Sequence, residues 1–508
     1  MLMEENTKPG EDQDCFQLRD DLLGKRTLII AANRGPVKII RDEQNAIQYQ
    51  RTGGGLATAL IGLVRNVEAT WIAMAASDED ANWKRGKIPL EDGEGEIQVE
   101  FLKPDPEEYN LYYNVIANPL LWFLQHSMWD FVRAPSIDFS TWEAWNKGYV
   151  QINQAFADAI ARQIFNSDKP AVVMFQDYHL YLAPQILRAR IRKRRKYTLL
   201  HFVHIPWPGP EDWGYLPKKI REAILEGLCA VDLLGFQTRA DSLNFIRTVE
   251  SLLPGARVNY RQGRIWYRNH ATHVRDFPIS IDVNGLKELS KSEEVSQYRQ
   301  QISDMTKDIQ LITRVDRSEP SKNIVRGFQA YGELLERYPE HRNKVHFLAL
   351  LVPSRMAVEE YQSYLDEIMA AAGRINATYG TSEWEPVRVM VGDNYPRAIA
   401  ALQLYRVLLV NPIADGMNLV AKEGPIVNQC NGVVILSERA GAAQQLSSGA
   451  LVISPIDIYA TTEALHQALV MPDAEREERA TRLRHVIEME DIQTWLCWQL
   501  QAMNRLGL

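Results

Sequence analysis

Cysteine is scarce in this chain of 508 residues, with only Cys15, Cys229, Cys430 and Cys497, all far apart. No C-x-x-C pair is present, so neither a disulfide framework nor a zinc site is expected, and the usage suits a reducing cytosol. Long apolar runs are missing too. No stretch reaches the roughly eighteen apolar residues of a membrane span. The N-terminal MLMEENTKPGEDQDCF is acidic and polar, without the basic-then-apolar order of a signal peptide. Basic charge is not in excess, because 57 Lys and Arg face 65 Asp and Glu for a net charge of −8. That argues against nucleic acid or an anionic membrane as the main partner. H-E-x-x-H, G-x-S-x-G and Walker A sequences are all absent, which disfavours metal catalysis and a nucleophilic triad. The expectation is a cytoplasmic protein with no bound metal.

What is present is ordinary globular composition, 46% hydrophobic and 24% charged, at a length that calls for two or three domains. Residues 1–25 read as a flexible extension. Then RTLIIAANRG, TWIAMAA, AVVMFQDYH, YTLLHFVHIP and VDLLGFQT are short apolar strands separated by helical patterns. After DFPISIDVNGL the alternation restarts with DIQLITRVD, KVHFLALLV, PVRVMVG, YRVLLVNP, NGVVILSE and GALVISP. Strands alternating with helices imply βαβ units and parallel sheets. The reading is α/β, with doubly wound domains over 26–280 and 281–472 and a helical end over 473–508 that carries Trp495 and Trp498.

Ligands of such sheets bind just outside the carboxyl ends of the strands. Those positions are rich in charge here. Arg34 follows the first strand, and a glycine loop with Gly54 and Gly55 precedes a helix. Asp177 and His179 follow AVVMFQ, and His204 follows LLHFV. Arg317 and Lys322 follow DIQLI, Arg355 follows VHFLALLVPS, and Asp415 to Glu423 follow YRVLLV. Each taken alone has a plain explanation: a GGG turn, a buried histidine, a solvent-facing cation, an Asp-Gly turn. The basic string RARIRKRRKY reads as an exposed helix end. Together they describe a site. Arg34, Arg317, Lys322 and Arg355 suit phosphate groups. The loop Gly416–Leu419 entering a helix offers backbone N–H groups to a diphosphate. Glu423 can accept two ribose hydroxyls, and Asp177 and Asp415 can accept those of a sugar.

The strings NPIADGMNLVAKE, VDRSEPSKN, FQDYHLYLAP, HIPWP and SERAGAAQQL resemble the trehalose-6-phosphate synthase family of retaining glycosyltransferases, from about residue 27 to about 500. RVDRSEPSKNIVRGF looks most like its actinobacterial type. The resemblance implies a GT-B fold, two Rossmann-like domains facing a central cleft, with 473–508 crossing back to the first. It implies glucose transfer from UDP- or GDP-glucose to glucose 6-phosphate, with no cofactor or metal. Carried over by position, Arg317 and Lys322 would bind the donor diphosphate and Asp415 the transferred sugar. Gly416, Met417, Asn418 and Leu419 would lie near sugar and phosphate, Glu423 on the ribose, and Gly54 and Gly55 over the donor. His204 would contact the sugar, Asp177 would orient the acceptor, and Arg34, Tyr113, Trp122 and Arg355 would surround its phosphate.

One departure bears on the acceptor. Met74 stands where many bacterial members carry a second tryptophan after the one matching Trp71. Related synthases with other phosphorylated acceptors, glucosylglycerol-phosphate synthase and the validamycin-type pseudo-glycosyltransferase, stay open as alternatives. So does a non-catalytic nucleotide-sugar sensor, which the presence of Arg317, Lys322 and Glu423 disfavours. The choice of base and a homo-oligomeric state are also left open.

Overall fold

The computed structural model describes residues 15–42, 44–51, 60, 68–83, 85–89, 96–132, 134–191, 195–306, 309–355 and 358–508. They divide into two compact units. The first runs to Pro278 and takes back Gln493–Leu508; the second is Ile279–Ile492.

In the first unit, strands such as Thr27–Ala31 and Ala171–Gln176 are buried at every position. A strand covered on both faces needs a continuous apolar run and not an alternating one, which is what TLIIA and AVVMFQ provide. Along the ten-stranded sheet, the parallel strands lie in the order Glu96–Leu102, Ala69–Met74, Thr27–Ala31, Ala171–Gln176, Tyr197–Phe202, Leu233–Phe236 and His270–Asp276. Chain order therefore reverses between Thr27–Ala31 and Ala171–Gln176. Antiparallel strands finish both edges, Arg85–Pro89 on one side and Arg257–Asn259 with Arg264–Tyr267 on the other. These edges were not legible as apolar runs; Glu96–Leu102, beside one of them, alternates between buried positions and half-buried or exposed ones.

The second unit is a six-stranded parallel sheet in the order Val387–Val391, Val345–Val352, Gln310–Arg317, Val407–Val410, Val433–Ser437 and Leu451–Ile453. Its reversal lies between Gln310–Arg317 and Val407–Val410. In an open doubly wound sheet that point leaves a crevice with no helix over it, the usual seat of a ligand.

Three expectations change. The extension read over 1–25 is helical from Cys15 to Leu23, with Leu18, Arg19 and Leu23 buried. Cys15 and Cys497 are joined in a disulfide across a sequence separation of 482, with Cα atoms 5.6 Å apart. Spacing could not reveal it, because only the return of the chain end to the first unit brings the two together. The segment 473–508 is also not one crossing helix. Asp473–Met489 stays with the second unit, where Arg476 donates to the carbonyls of Cys430 (2.5 Å) and Asn431 (3.2 Å). Ile492–Leu506 leads back, and Trp495, fully buried, donates from Nε1 to the Phe277 carbonyl at 3.1 Å. No described helix is long and apolar enough to cross a membrane.

Candidate active site

At the reversal point of the second unit, the strand Gln310–Arg317 runs out into a turn, Pro320–Lys322, closed by Asn323 at φ 57°. Arg314, wholly buried, fixes this strand end. Its guanidinium donates to Asp316 Oδ2 (2.8 Å), the Lys322 carbonyl (2.8 Å) and Asn411 Oδ1 (2.5 Å). Lys322 is thereby aimed across the crevice, and its Nζ forms an ion pair with Asp415 Oδ2. Asn418 Nδ2 donates to the same oxygen at 3.1 Å.

The loop from Asp415 to Leu419 is braced from outside. Asp415 N–H donates to the Arg439 carbonyl (3.1 Å), while Gly441 and Ala442 donate to the carbonyls of Asp415 (3.0 Å) and Met417 (2.9 Å). Gly441 has to be glycine here, since a Cβ would stand 1.8 Å from the Gly416 carbonyl oxygen. Asn418 takes φ 69° just before the helix Val420–Val427. Among the described residues, the backbone N–H groups of Gly416, Met417, Asn418 and Leu419 donate to no protein acceptor. A row of such donors at a helix start is an anion seat. In that helix Glu423 accepts from Tyr395 OH at 3.0 Å, and burial raises its carboxyl pKa. Beside it Lys422 is buried, donates to the Ile279 carbonyl at 2.8 Å, and is pushed down to about 7 by burial.

Arg355, at φ 49° after the strand Val345–Val352, does not stand alone. Its Nη1 donates to Tyr361 OH (2.6 Å) and to Glu319 Oε2 (3.2 Å). The other Glu319 oxygen, Oε1, pairs with Arg317 Nη2 at 3.2 Å and accepts from Ser321 Oγ at 3.0 Å. Two arginines of the candidate set thus share one carboxylate that the sequence reading passed over. That reading scored cations at strand ends; an acid among them at the same position was an equal signal.

In the first unit, Asp177 follows Ala171–Gln176 with φ 69° and ψ 178°, a region in which residues other than glycine are strained. The chain holds it there. Asp177 N–H donates to the Phe202 carbonyl (2.7 Å), its own carbonyl bonds His201 Nε2 (3.0 Å), and its Oδ1 accepts from His204 N–H (3.2 Å). Strain of this kind persists where the surroundings over-determine it, commonly at functional sites. His204 bonds Gln176 Oε1 through Nε2 (3.0 Å) and Gln237 Nε2 through Nδ1 (3.3 Å). Because the Gln237 amide donates, Nδ1 must accept, so the ring is neutral and Nε2 carries the proton. Burial enforces the same state by pushing the His204 pKa down to about 3. Gln176 and Gln237 also follow the strand-end rule and were missed for want of charge.

The remaining described candidates, Arg34, Tyr113 and Trp122, also belong to the first unit. Arg34 is exposed, and its carbonyl accepts from Trp71 Nε1 at 3.1 Å. Tyr113 stacks on His179 with ring centroids 5.9 Å apart, and Trp122 packs against Tyr178 at 5.5 Å. Asn33 accepts from Tyr112 OH at 3.0 Å. Gly54 and Gly55 lie outside the described residues. Met74 is 2% exposed within the hydrophobic core. One group among the described residues has the make-up of a metal site, Glu340, His341 and His466, and it includes none of the candidate residues. Its two imidazoles bond each other at 2.9 Å.

The profile of glycosyltransferase family 20 matches residues 26–505. The chain belongs to that family. This family-20 glycosyltransferase is 32% identical over 484 residues to the alpha,alpha-trehalose-phosphate synthase (UDP-forming) of Schizosaccharomyces pombe, covering 94% of the chain and 90% of the relative. It is 33% identical over 450 residues to the trehalose-6-phosphate synthase of Salmonella choleraesuis, covering 87% and 89%. Among solved structures, an E. coli protein bound with UDP-2-fluoro glucose superposes with a TM-score of 0.80 at 28% identity, over 95% of this chain and 99% of that one. A UDP-forming synthase from Burkholderia xenovorans in complex with glucose-6-phosphate gives 0.79 at 27%, over 95% and 100%. The two sheets of this glycosyltransferase are accordingly the Rossmann-like domains of a GT-B fold.

Proposed function

We propose that the enzyme transfers glucose from UDP-glucose to glucose 6-phosphate, giving α,α-trehalose 6-phosphate and UDP with retention at the anomeric carbon. One observation carries the reading: Lys322, Asp415 and the row of N–H groups from Gly416 to Leu419 share the reversal point of the second sheet, in a family-20 chain. The name of the S. pombe relative as UDP-forming supports the donor, and the glucose-6-phosphate complex of the B. xenovorans relative supports the acceptor.

Breaking the bond between glucose C1 and the phosphate oxygen leaves negative charge on the diphosphate. Arg317, Lys322 and the loop N–H groups are assigned to that charge, being fixed before the reaction begins. Retention follows when the acceptor's anomeric hydroxyl attacks from the face the leaving group departs. Its oxygen bonds C1, and its proton passes to the departing phosphate oxygen. No protein nucleophile enters, and the enzyme's part is mainly positioning. Asp415 holds hydroxyls of the transferred glucose, and His204 is a neutral contact to that sugar. Glu423 takes the ribose, Asp177 orients the acceptor, and Arg34, Tyr113, Trp122 and Arg355 take its phosphate. In this scheme Arg317 and Lys322 supply the positive charge, so no resident metal is part of the proposal. A cytoplasmic site of action is part of the same proposal.

The test offers the purified protein a matrix of UDP-, GDP- and ADP-glucose against glucose 6-phosphate and glycerol 3-phosphate, with released nucleotide as the readout. Turnover is expected with UDP-glucose and glucose 6-phosphate. Turnover with glycerol 3-phosphate but not glucose 6-phosphate overturns the acceptor.

A further inference from the structure

Glu319 is 0% exposed, yet it is a carboxylate facing two guanidinium groups, with 42% of the Arg317 side chain exposed and 7% of that of Arg355. Leaving a carboxylate without partners in such a place is costly, so its pairing is a structural commitment. The two oxygens are divided between the cations. Oε1 takes Arg317 (3.2 Å) together with Ser321 Oγ (3.0 Å), and Oε2 takes Arg355 (3.2 Å). The backbone joins in: Glu319 N–H donates to the Arg317 carbonyl (2.8 Å), and the Glu319 carbonyl accepts from Lys322 N–H (3.0 Å). Arg355 is locked from its other side by Tyr361, both through the 2.6 Å hydrogen bond and by lying over the ring at 5.4 Å.

This carboxylate is thus the common partner of a cation assigned to the leaving diphosphate and one assigned to the acceptor phosphate. We propose that Glu319 is a positioning residue that joins Arg317 and Arg355 into one cationic unit, so that donor and acceptor phosphates are gripped by a single prearranged pair. The inference rests on the donor and acceptor roles given above. Three positive side chains, Arg317, Lys322 and Arg355, stand just beyond or at two neighbouring strand ends. Asp415 offsets one of them and Glu319 the other two, which fixes the guanidinium planes before either substrate arrives. Pre-set donors spare the ordering cost at the moment of binding.

The experiment compares wild type, Glu319→Gln and Glu319→Asp. UDP affinity is read by calorimetry, KM for glucose 6-phosphate and kcat by nucleotide release, and the fold by circular dichroism and Tm. Glutamine has the shape but turns an N–H₂ toward one arginine, so one guanidinium loses its acceptor. Expected for Glu319→Gln are UDP binding weakened at least about fivefold, KM for glucose 6-phosphate raised at least about fivefold, and kcat reduced about tenfold or more. Glu319→Asp, which keeps the charge, recovers part of each. Should Glu319→Gln not fold, the same two-sided change in Glu319→Asp, at smaller size, decides the matter. An effect on one substrate only, or on neither, overturns the linking role, as does a fall in Tm with both affinities unchanged. Absence of wild-type turnover with glucose 6-phosphate overturns the acceptor assignment instead. The UDP titration then still judges the hold on Arg317, and the linking role is judged with whichever acceptor the substrate matrix identifies.

Discussion

Lys322 Nζ and Asp415 Oδ2 form an ion pair over the one place in the second sheet where strand order reverses. The ammonium is held by a strand end anchored on Arg314, and the carboxylate by a loop braced on residues 439–442. A diphosphate seated there competes with Asp415 for Lys322 and gains most as its own charge develops. Lys322→Ala and Arg317→Ala should each reduce kcat by roughly two orders of magnitude or more, as for loss of one oxyanion donor. Single-turnover release of UDP measures this, and near-wild-type rates in either variant contradict the role.

Glu423 should report on the ribose and not on the phosphates. Glu423→Gln should weaken UDP about tenfold, the size of one charged hydrogen bond. Inorganic pyrophosphate, which has no ribose, should bind both proteins equally. Equal losses for UDP and pyrophosphate would mean that Glu423 supports the loop and touches no sugar.

His204 should be silent in the pH profile. With its pKa pushed down to about 3 by burial and its ring hydrogen-bonded as a neutral tautomer, it stays uncharged through the working range. His204→Asn should lower kcat/KM at every pH between 5 and 8 without changing the shape of the curve. A limb near pH 6.5 that vanishes in the variant would show that His204 titrates during turnover.

Lys422 gives a stability signature in a different window. Its folded pKa is about 7, lowered by burial with Glu490 opposing. The unfolded chain keeps the proton to about 10.4, so between these values the unfolded state binds more protons. Stability from this residue is fully present above about pH 10.4 and lost as pH falls to about 7, at about 1.4 kcal/mol per unit. Lys422→Met should flatten the difference between denaturation midpoints at pH 7 and pH 9. Parallel curves for the two proteins would mean that Lys422 remains charged in the fold.

Much of this was legible because buried parallel strands must be apolar throughout. TLIIA, AVVMFQ and VHFLALLV announce themselves, and whatever follows them lies at the ligand end of a sheet. Asp177, Arg317, Lys322, Arg355 and Asp415 were all singled out that way. Edge strands such as Arg85–Pro89 escaped, because one wet face leaves no apolar run. The pairing of Cys15 with Cys497 escaped because it depends on where the chain end returns. Glu319 escaped for a different reason: an acid among cations proposed for phosphates looks wrong until its burial and its two partners are known. Gln176 and Gln237 carry no charge, and their role is visible only through the ring nitrogens they fix.

The return of the last helix has a consequence for how the molecule is made. The second unit is one uninterrupted stretch, Ile279–Ile492, whereas the first is discontinuous and ends with Gln493–Leu508. Trp495, wedged against Phe202 at 5.3 Å and bonded to the Phe277 carbonyl, is synthesised only after the whole of the second unit. Of the two units, the one begun first is therefore the one completed second. The half synthesised second holds all of its own strands before the first is sealed, reversing the N-terminal-first order usual in multidomain chains.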